Sequence, residues 1–356
     1  MKKAVTLSEV AEAARVSKAT VSNVFSRPER VRPALRQRVE AAAESLGYDG
    51  PDPKGRLLSS GKVNAIGVIP PAAFGISLFF KNAYVRAFLE GIAVVCEEHG
   101  VGLSLVSGRP DQKAWGIKNA VVDGFILGDI EQAELIEPVR RRRLPFVLTA
   151  MDGGPDVSSV GIEDRDGARQ LARHLIELGH RRFAVAMPLR EFRAPVFHAP
   201  AKTVRHLVAP IADMIERLAG IEEVLAEAGI RFGDVPIVEA CITRDEVAAF
   251  GSGAALLLDK APGTTAVIAL ADSVALAILD EACKRGLSVP RDLSVTGFDD
   301  IPEAALAEPP LTTVAQPAME KGRAAARILL EGGPPRHVVL PVELVVRAST
   351  GPAPRR

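Results

Sequence analysis

The sequence has few aromatic residues and no long apolar run, and each scarcity excludes a class of protein. Aromatic residues make up 4% of the 356 residues, so Leu, Val, Ile and Ala must build the core. No apolar run reaches about 18 residues, which predicts that no segment crosses a membrane. The opening stretch MKKAVTLSEVAEAA carries two lysines but no apolar h-region, so we do not expect a secretory signal.

Cysteine is also scarce, and the three residues Cys96, Cys241 and Cys283 lie far apart. Their odd number and wide spacing suit buried thiols in a reducing cytoplasm, with no disulfide framework and no zinc site. Motifs of the G-x-S-x-G, Walker and H-E-x-x-H kinds are absent as well. The sequence therefore predicts a cytoplasmic protein that is not an enzyme and needs neither a metal nor a cofactor.

Charge is unevenly distributed, although the net charge of the whole chain is zero. Residues 1–62 contain 12 Lys and Arg against 7 Asp and Glu, whereas the remainder contains 32 against 37. A basic head on an acidic body is typical of nucleic-acid binding, with chance surface charge as the alternative. The length predicts two or three domains.

Residues 6–47 carry three apolar stripes at helical spacing, which predict three short helices. Thr6 and Ser17 can cap the first two helices, Pro33 suits a first helical position, and Gly47 can end the third helix. Residues 48–62 are rich in Pro, Gly and Ser, which predicts a linker with space for about two turns of helix.

The pattern changes to alternating strands and helices from residue 63 onward, with helices predicted over Ala83–His99 and Asp272–Arg285 among others. This alternation predicts an α/β core of parallel sheets with helices on both faces. Two series of similar length predict two doubly wound lobes. Ligands of such sheets bind beyond the carboxyl ends of the strands.

The stretch AEAARVSKATV, residues 11–21, has the spacing of a helix-turn-helix. Its second helix would turn short polar side chains outward while Val21 and Val24 pack inward, and such a helix fits the major groove. Ser17 and Thr20 suit phosphate oxygens, which position the helix. A solvated helical hairpin is the alternative that spacing alone leaves open. The predicted base-facing residues are Lys18, Ala19, Ser22 and Asn23.

Five motifs resemble those of the LacI/GalR family of bacterial transcriptional regulators and occur in the family's order between Thr6 and Thr350. They are TLSEVAEAARVSKATVSNVFS, RVEAAAESLGY, LIELGHRRFAVA, LSVTGFDDIPEAALAEPPLTTVAQP and LPVELVVRAST. The resemblance implies a helix-turn-helix head, a hinge helix and a two-lobed core like that of periplasmic binding proteins. The expected bounds are 1–47 for the head, 48–62 for the hinge, 63–161 plus 314–331 for the N-lobe, and 162–312 plus 338–350 for the C-lobe within a core of 63–350.

The resemblance also implies a homodimer whose two heads bind a near-palindromic double-stranded DNA operator. The hinge helix is expected in the minor groove, where Leu58 would wedge between base pairs. Gly55 replaces the usual Ala of the hinge helix, and Asn23 stands where some members carry Arg. The expected DNA-binding residues are Thr6, Leu7, Ser17, Lys18, Ala19, Thr20, Ser22, Asn23, Arg56 and Leu58.

A small-molecule effector is expected between the two lobes, held by a few converging polar groups. By match to the family's motifs, Arg217, Asp299 and Asp164 would contact it, while Phe74 and Phe79 would line the cleft from the other lobe. The alternatives are a surface ion pair for Arg217, helix capping for the two aspartates and a core position for the phenylalanines.

Two further features bear on the effector. Asp272 fits a helix N-cap at least as well as an effector contact, and Ala271 replaces the Ser or Asn of many members, which weakens assignment to a particular sugar. Residues 188–211 form a longer and more basic stretch than the family usually has, with Arg190 and Arg193 as candidate effector contacts. The effector is expected to be a sugar or an anionic sugar derivative, and this basic stretch favours the anionic one unless it is a solvated loop. A sugar-binding protein of the periplasmic type, without a DNA role, remains the alternative function.

Overall fold

The computed structural model describes residues 5–26, 28–48, 50, 61–69, 80–106, 113–128, 133–149, 154–189, 193–201, 207, 212–241 and 250–355. They belong to two compact units, a head within residues 1–63 and a core within residues 64–356. Among the described residues, no helix has both the length and the apolarity needed to cross a membrane.

The head contains three helices, and the predicted caps are confirmed. The Oγ1 of Thr6 accepts a hydrogen bond from the backbone N of Glu9 at 3.4 Å, and the Glu9 carboxylate accepts one from the Thr6 N at 2.6 Å. Ser17 Oγ accepts from the Thr20 N at 3.1 Å, and Gly47 closes the third helix in the left-handed region at φ 67°. The helices are α1 (Leu7–Ala13), α2 (Lys18–Ser26) and α3 (Pro33–Leu46), with Pro33 in the first turn of α3.

One small apolar cluster holds the head together. Val10, Val21 and Val39 are fully buried, one from each helix, so the predicted inner faces meet. Phe25 packs edge-on against Tyr48, with ring centroids 5.5 Å apart. A unit as small as the head has little apolar surface to bury. The contacts of any one of these valines therefore contribute a large fraction of the head's stability.

The N-lobe of the core is built around a parallel sheet, which in its described part has the strand order β12-β5-β4-β3-β1-β2. Alternate strand residues face opposite layers: Ile66 and Val68 pack under α4 and α12, while Ile69 packs under α5 and α6. The elements are β1 (Ala65–Ile69), α4 (Ala83–His99), β2 (Gly102–Leu105), α5 (Lys113–Asn119), β3 (Phe125–Leu127), α6 (Ala133–Arg141), β4 (Phe146–Leu148), β5 (Ser158–Ile162), α12 (Ala318–Glu331) and β12 (His337–Leu340).

The C-lobe has a second sheet, which in its described part has the order β10-β9-β6-β8-β7 and is parallel except for β7. Helices α7 and α8 cover one face, and α9 and α10 cover the other. The elements are α7 (Asp164–Glu177), β6 (Phe183–Leu189), β7 (Val196–His198), α8 (Ala212–Glu227), β8 (Ile237–Cys241), α9 (Gly251–Lys260), β9 (Ala266–Ala269), α10 (Asp272–Lys284), β10 (Ser294–Thr296), α11 (Pro302–Leu306), β11 (Thr313–Ala315) and β13 (Glu343–Val345). The predicted α/β class with two doubly wound lobes is confirmed.

Each lobe contains one helix pair whose backbones touch. Gly322 of α12 lies against the carbonyl of Phe88 in α4, and Gly220 of α8 lies against the carbonyl of Arg165 in α7. A Cβ at either glycine would overlap the facing carbonyl, so glycine is what permits these close crossings. The crossings fix the position of each helix within its lobe.

The expected division of the lobes needs correction at two strands. Strand β11 was expected in the N-lobe from residue 314, but it pairs with β13, and Val314 packs in the C-lobe core. Strand β12 was assigned to the C-lobe from residue 338, but it pairs with β5 at the edge of the N-lobe sheet, with Val338 opposite Val160. Both residues pack in the N-lobe core, which explains the placement. The chain returns to the C-lobe only at β13, which pairs antiparallel with β11.

Candidate nucleic-acid interface and ligand cleft

The second helix of the head has two distinct faces. Val21 and Val24 are buried, whereas Lys18, Ala19 and Asn23 are exposed. Ser22 is half-buried. These are the orientations expected of a helix that reads DNA, and the base contacts themselves stay predictions.

Hydroxyl groups at two helix starts are already engaged within the head. Thr6 Oγ1 donates to the Glu9 carboxylate at 2.7 Å, and Ser17 Oγ lies 2.9 Å from Thr20 Oγ1. Leu7 is half-buried and packs on the head cluster. Any phosphate contact by these hydroxyl groups would therefore add to a capping role. The predicted residues Arg56, Leu58, Phe74, Phe79 and Arg190 lie outside the described residues.

Arg217 lies at the centre of a polar cluster in the core. Its side chain is 4% exposed; Nε donates to Asp164 Oδ1 at 2.7 Å, and Nη1 donates to the Leu270 carbonyl at 2.7 Å. The guanidinium stacks 3.6 Å from the centroid of the Phe298 ring. Burial alone would lower the pKa of Arg217, but the surrounding carboxylates raise it, so the group stays charged. The surface ion pair considered for this residue is wrong.

Asp164 is the first residue of α7 and forms the partner of Arg217. The N-cap position of α7 is Glu163 and makes no side-chain cap, so capping by Asp164 is also wrong. Burial raises the pKa of Asp164, while Arg217 opposes the rise. The carboxylate is thus held in place by the arginine rather than by the helix.

Asp299 follows β10 and approaches the same cluster. Its backbone has φ 128°, a conformation that residues other than glycine rarely adopt, and its Oδ1 accepts a hydrogen bond from Gln316. Burial raises the pKa of Asp299 to about 8 although Arg217 lowers it. This carboxyl group therefore takes up a proton at a higher pH than an exposed aspartate does.

Asp272 has a structural position, and its expected effector contact stays a prediction. The side chain is fully buried; Oδ1 accepts from Thr313 Oγ1 at 2.6 Å and Oδ2 accepts from the Ile301 N at 2.9 Å. Burial raises the pKa of Asp272 to about 6, although these two hydrogen bonds lower it. It is the first residue of α10, not the N-cap, which is Ala271. With both oxygens bound, Asp272 fastens the loop that carries Asp299.

Two further buried charged residues were not anticipated from the sequence, and one of them, Asp213, belongs to the cluster. Asp213 lies one turn before Arg217 on α8 and is buried, and its charge raises the pKa of Arg217. Lys321 is buried on α12 and donates to the Tyr84 hydroxyl at 3.1 Å. The sequence contains a pattern that could have indicated each of them. Asp213 lies four residues before Arg217 on the predicted helix, and Lys321 interrupts an apolar stripe.

A cavity of about 770 Å³ opens where β5 and β12 meet the first turns of α7 and α8. Asp164 and Asp213 line it, together with the apolar side chains of Ile215 and Val339. The junction of the lobes thus offers space beside two carboxylates of the cluster, those of Asp164 and Asp213. Within the described residues, no group of His, Cys, Asp and Glu could hold a metal ion.

The long stretch between residues 188 and 211 is partly a strand. Val196–His198 forms β7, which adds antiparallel to β8 at the edge of the C-lobe sheet. His198 Nε2 lies 2.5 Å from Oε1 of Glu239, a fully buried residue. A solvated loop is therefore wrong for this part, whereas Arg193 is exposed just before the strand.

Similarities to known proteins agree with this arrangement. Residues 6–50 match the bacterial regulatory proteins of the lacI family, and residues 172–350 match a periplasmic binding protein-like domain. The chain is 37% identical to the HTH-type transcriptional regulator Rv3575c of Mycobacterium tuberculosis, covering 98% of this chain and 97% of that protein. It is 30% identical to the transcriptional repressor CytR of Escherichia coli, covering 99% and 98%.

Solved structures show the same architecture over nearly the whole chain. A complex of the transcriptional regulator CelR with cellobiose has a TM-score of 0.68 and 28% identity, covering 97% of this chain and 99% of that one. The lac repressor dimer bound to operator has a TM-score of 0.76 at 23% identity, which supports the fold alone. The chain belongs to the LacI family of bacterial transcriptional regulators, with a DNA-binding head and an effector-binding core.

Proposed function

We propose that this protein is a cytoplasmic repressor that binds its operator as a homodimer and changes operator affinity when an effector binds between the lobes. The observation that carries the proposal is the two-faced α2, whose buried valines turn Lys18, Ala19 and Asn23 outward. Such a helix presents side chains to base edges, while the positive charge of the head supplies attraction to phosphates.

The homodimer is supported by the family to which the chain belongs, because the solved lac repressor, which has the same fold, is a dimer bound to operator. A two-fold dimer places two heads on inverted half-sites. We therefore expect a near-palindromic operator.

Selection from random double-stranded DNA by the purified protein tests the DNA-binding half of the proposal. Two inverted half-sites should be enriched. A sugar-binding protein without a DNA role would enrich no sequence yet still bind its ligand. Recovery of no palindrome from a protein that is folded would therefore contradict the proposal.

The effector half is supported by the cluster around Arg217. Asp164, Asp213 and Asp299 supply carboxyl oxygens on the C-lobe side, and the guanidinium of Arg217 is already bound to Asp164 and to a backbone carbonyl. We propose a neutral, hydroxyl-rich effector such as a sugar, because hydroxyl groups can donate to these oxygens. CelR, a relative, binds cellobiose in its solved complex.

An anionic sugar derivative is the competing effector class, favoured by the basic residues between 188 and 211. A thermal-shift screen of neutral sugars against their acids and phosphates separates the two classes. Stabilisation by a neutral sugar at lower concentration than by its charged counterpart supports the neutral class. The reverse order would favour the anionic class.

Effector binding can change operator affinity only if one arrangement of the lobes binds the effector better than the other. Asp164 and Arg217 belong to the C-lobe, and the cavity that Asp164 lines is also bordered by β5 and β12 of the N-lobe. A ligand held by both sides stabilises one separation of the lobes. We propose that this preference is what the effector transmits to the dimer.

A further inference from the structure

The chain passes from the C-lobe back to the N-lobe through a connecting segment, residues 316–317, that contains a buried glutamine. Strand β11 ends at Ala315 on the C-lobe side, and α12 begins at Ala318 on the N-lobe side. Between them, the side chain of Gln316 is buried although it is polar. Burying an amide group is unfavourable unless it forms hydrogen bonds, so the partner of Gln316 explains its position.

That partner is Asp299, one of the expected effector contacts. The amide of Gln316 donates a hydrogen bond to Oδ1 of Asp299, and the backbone N of Asp299 donates to the carbonyl of Val314 in β11 at 2.9 Å. The side chain of Asp299 is thus bound to the connecting segment and its backbone to the strand just before it. Among the described residues, no group donates to Oδ2 of Asp299, which leaves this oxygen for a ligand.

The loop that carries Asp299 is held from two directions. At φ 128°, Asp299 has a strained backbone, and such a conformation persists only where surrounding contacts impose it. The next residue, Asp300, accepts a hydrogen bond from Arg347 at 2.7 Å, and Arg347 also donates to the Leu311 carbonyl at 2.9 Å. Arg347 therefore holds the loop within the C-lobe, whereas Gln316 holds it to the segment that leads into the N-lobe.

The main chain of Gln316 continues directly into the first turn of α12. Its carbonyl accepts a hydrogen bond from the backbone N of Ala318 at 2.8 Å. The first turn of α12 in turn lies against α4, because a Cβ at Gly91 would overlap the carbonyl of Met319. Closely packed helices shift as units rather than deform, so a displacement of Gln316 would move α12 together with α4.

We propose that Gln316 is a positioning residue that holds the carboxyl group of Asp299 for the effector and transmits a change at that group to the first turn of α12. The proposal rests on the effector-binding half of the proposed function, which takes Asp299 as an effector contact. An effector bound to Oδ2 shifts a carboxyl group whose Oδ1 is bound to the connecting segment. Removing the amide should therefore separate effector binding from the operator response.

The first test needs no effector and measures amide hydrogen exchange in the full-length protein. Asp299→Gly removes the carboxyl group, and glycine adopts φ 128° without strain. We expect this change in the C-lobe to speed exchange in the first two turns of α12 at least about threefold. Gln316→Met should have the same effect, and Asp299→Gly should add nothing to it in the double variant.

The matched control is Arg347→Met, which removes the other fastening of the same loop. It should leave exchange in α12 at the wild-type rate. If Arg347→Met speeds exchange in α12 as much as Gln316→Met does, Gln316 merely supports the loop and the proposal is overturned. Unchanged exchange in Gln316→Met would overturn it as well.

The second test uses the compound that most raises the melting temperature of the wild type among ribose, glucose, cellobiose, gluconate and glucose 6-phosphate. Calorimetry gives its affinity for each variant, and fluorescence anisotropy gives operator affinity with and without a saturating concentration of it. In Gln316→Met the change in operator affinity should be at least about fivefold smaller than in the wild type. Arg347→Met should keep the full change at saturation, even where it binds the compound more weakly.

Gln316→Glu, which keeps the length of the side chain but replaces the amide by a carboxylate, is measured alongside in case the Met variant does not fold. A wild-type operator response in folded Gln316→Glu or Gln316→Met would overturn the proposal. If no compound of the panel stabilises the wild type, the effector half of the proposed function loses its support. The hydrogen-exchange test then still decides whether Gln316 links Asp299 to α12.

Discussion

Arg217 is a buried charge whose contribution to stability depends on the partners that surround it. Replacing it by Met leaves the Asp164 carboxylate buried without its guanidinium, which costs about 3 kcal/mol for a broken buried pair. We expect Arg217→Met to lower the free energy of unfolding by about this amount, and the added change Asp164→Asn to restore part of it. Urea denaturation of the four proteins in the double-mutant cycle measures the coupling. Equal stabilities of the single and double variants would contradict this account.

The raised pKa of Asp299 predicts that the free energy of unfolding depends on pH, and it also gives the sign of that dependence. Its pKa in the folded protein is about 8, against about 3.9 in an unfolded chain. Between these values the folded state binds the extra proton, so stability falls as pH rises, with a slope approaching about 1.4 kcal/mol per pH unit. Asp299→Asn removes the titrating group. Urea unfolding at pH 5 to 8 should show that the stability of Asp299→Asn rises relative to that of the wild type as pH rises. If the stabilities of the two proteins change with pH in parallel, the prediction is wrong.

At the scale of elements, the two faces of α2 predict two kinds of effect on DNA binding when residues of the head are replaced. Asn23 and Lys18 are exposed on the outer face, so Asn23→Ala and Lys18→Ala should change the preferred half-site bases. Thr20 sits at the start of the helix, where a phosphate contact carries no sequence information, so Thr20→Ala should weaken all sequences alike. Binding measured on a library of single-base operator variants distinguishes these patterns. A uniform loss for Asn23→Ala would exclude a base contact at that position.

Elements with strong local signals were predicted well from the sequence. The helix over Ala83–His99 has the predicted bounds because Asn82 caps its start and Gly100 closes its end, and both signals are local. Placement between elements was harder to predict. The edge strand β12 was assigned to the wrong lobe, because nothing in its own residues shows that Val338 lies opposite Val160.

The same limit applies to the candidate site. Arg217, Asp164 and Asp299 come together as the family resemblance implied, whereas the structural hydrogen bonds of Asp272 were not predicted, because its partner Thr313 lies 41 residues further along the chain. Lys321 was missed because a helical stripe shows that a side chain is turned inward, but not that the hydroxyl group of Tyr84 lies there to accept its hydrogen bond. Contacts across sheets and lobes depend on packing that a single periodic pattern does not contain.

At the scale of the whole molecule, the zero net charge hides a basic head on an acidic remainder. Attraction to DNA should therefore come from the head, and neutralised phosphates release counterions on binding. We expect operator affinity to fall at least about tenfold between 50 and 200 mM KCl. Fluorescence anisotropy with labelled operator measures this dependence, with random DNA of equal length as the control. A flat salt dependence would show that few phosphates are contacted.

The position of β12 at the edge of the N-lobe sheet has a consequence for how the chain is made. Translation proceeds from the N-terminus, so the head and the strands β1 to β5 leave the ribosome long before His337–Leu340. The first lobe to be synthesised must wait for its last strand until almost all of the second lobe has emerged. The nascent N-lobe therefore carries an open β5 edge throughout that interval, when pairing with another nascent chain would be most damaging.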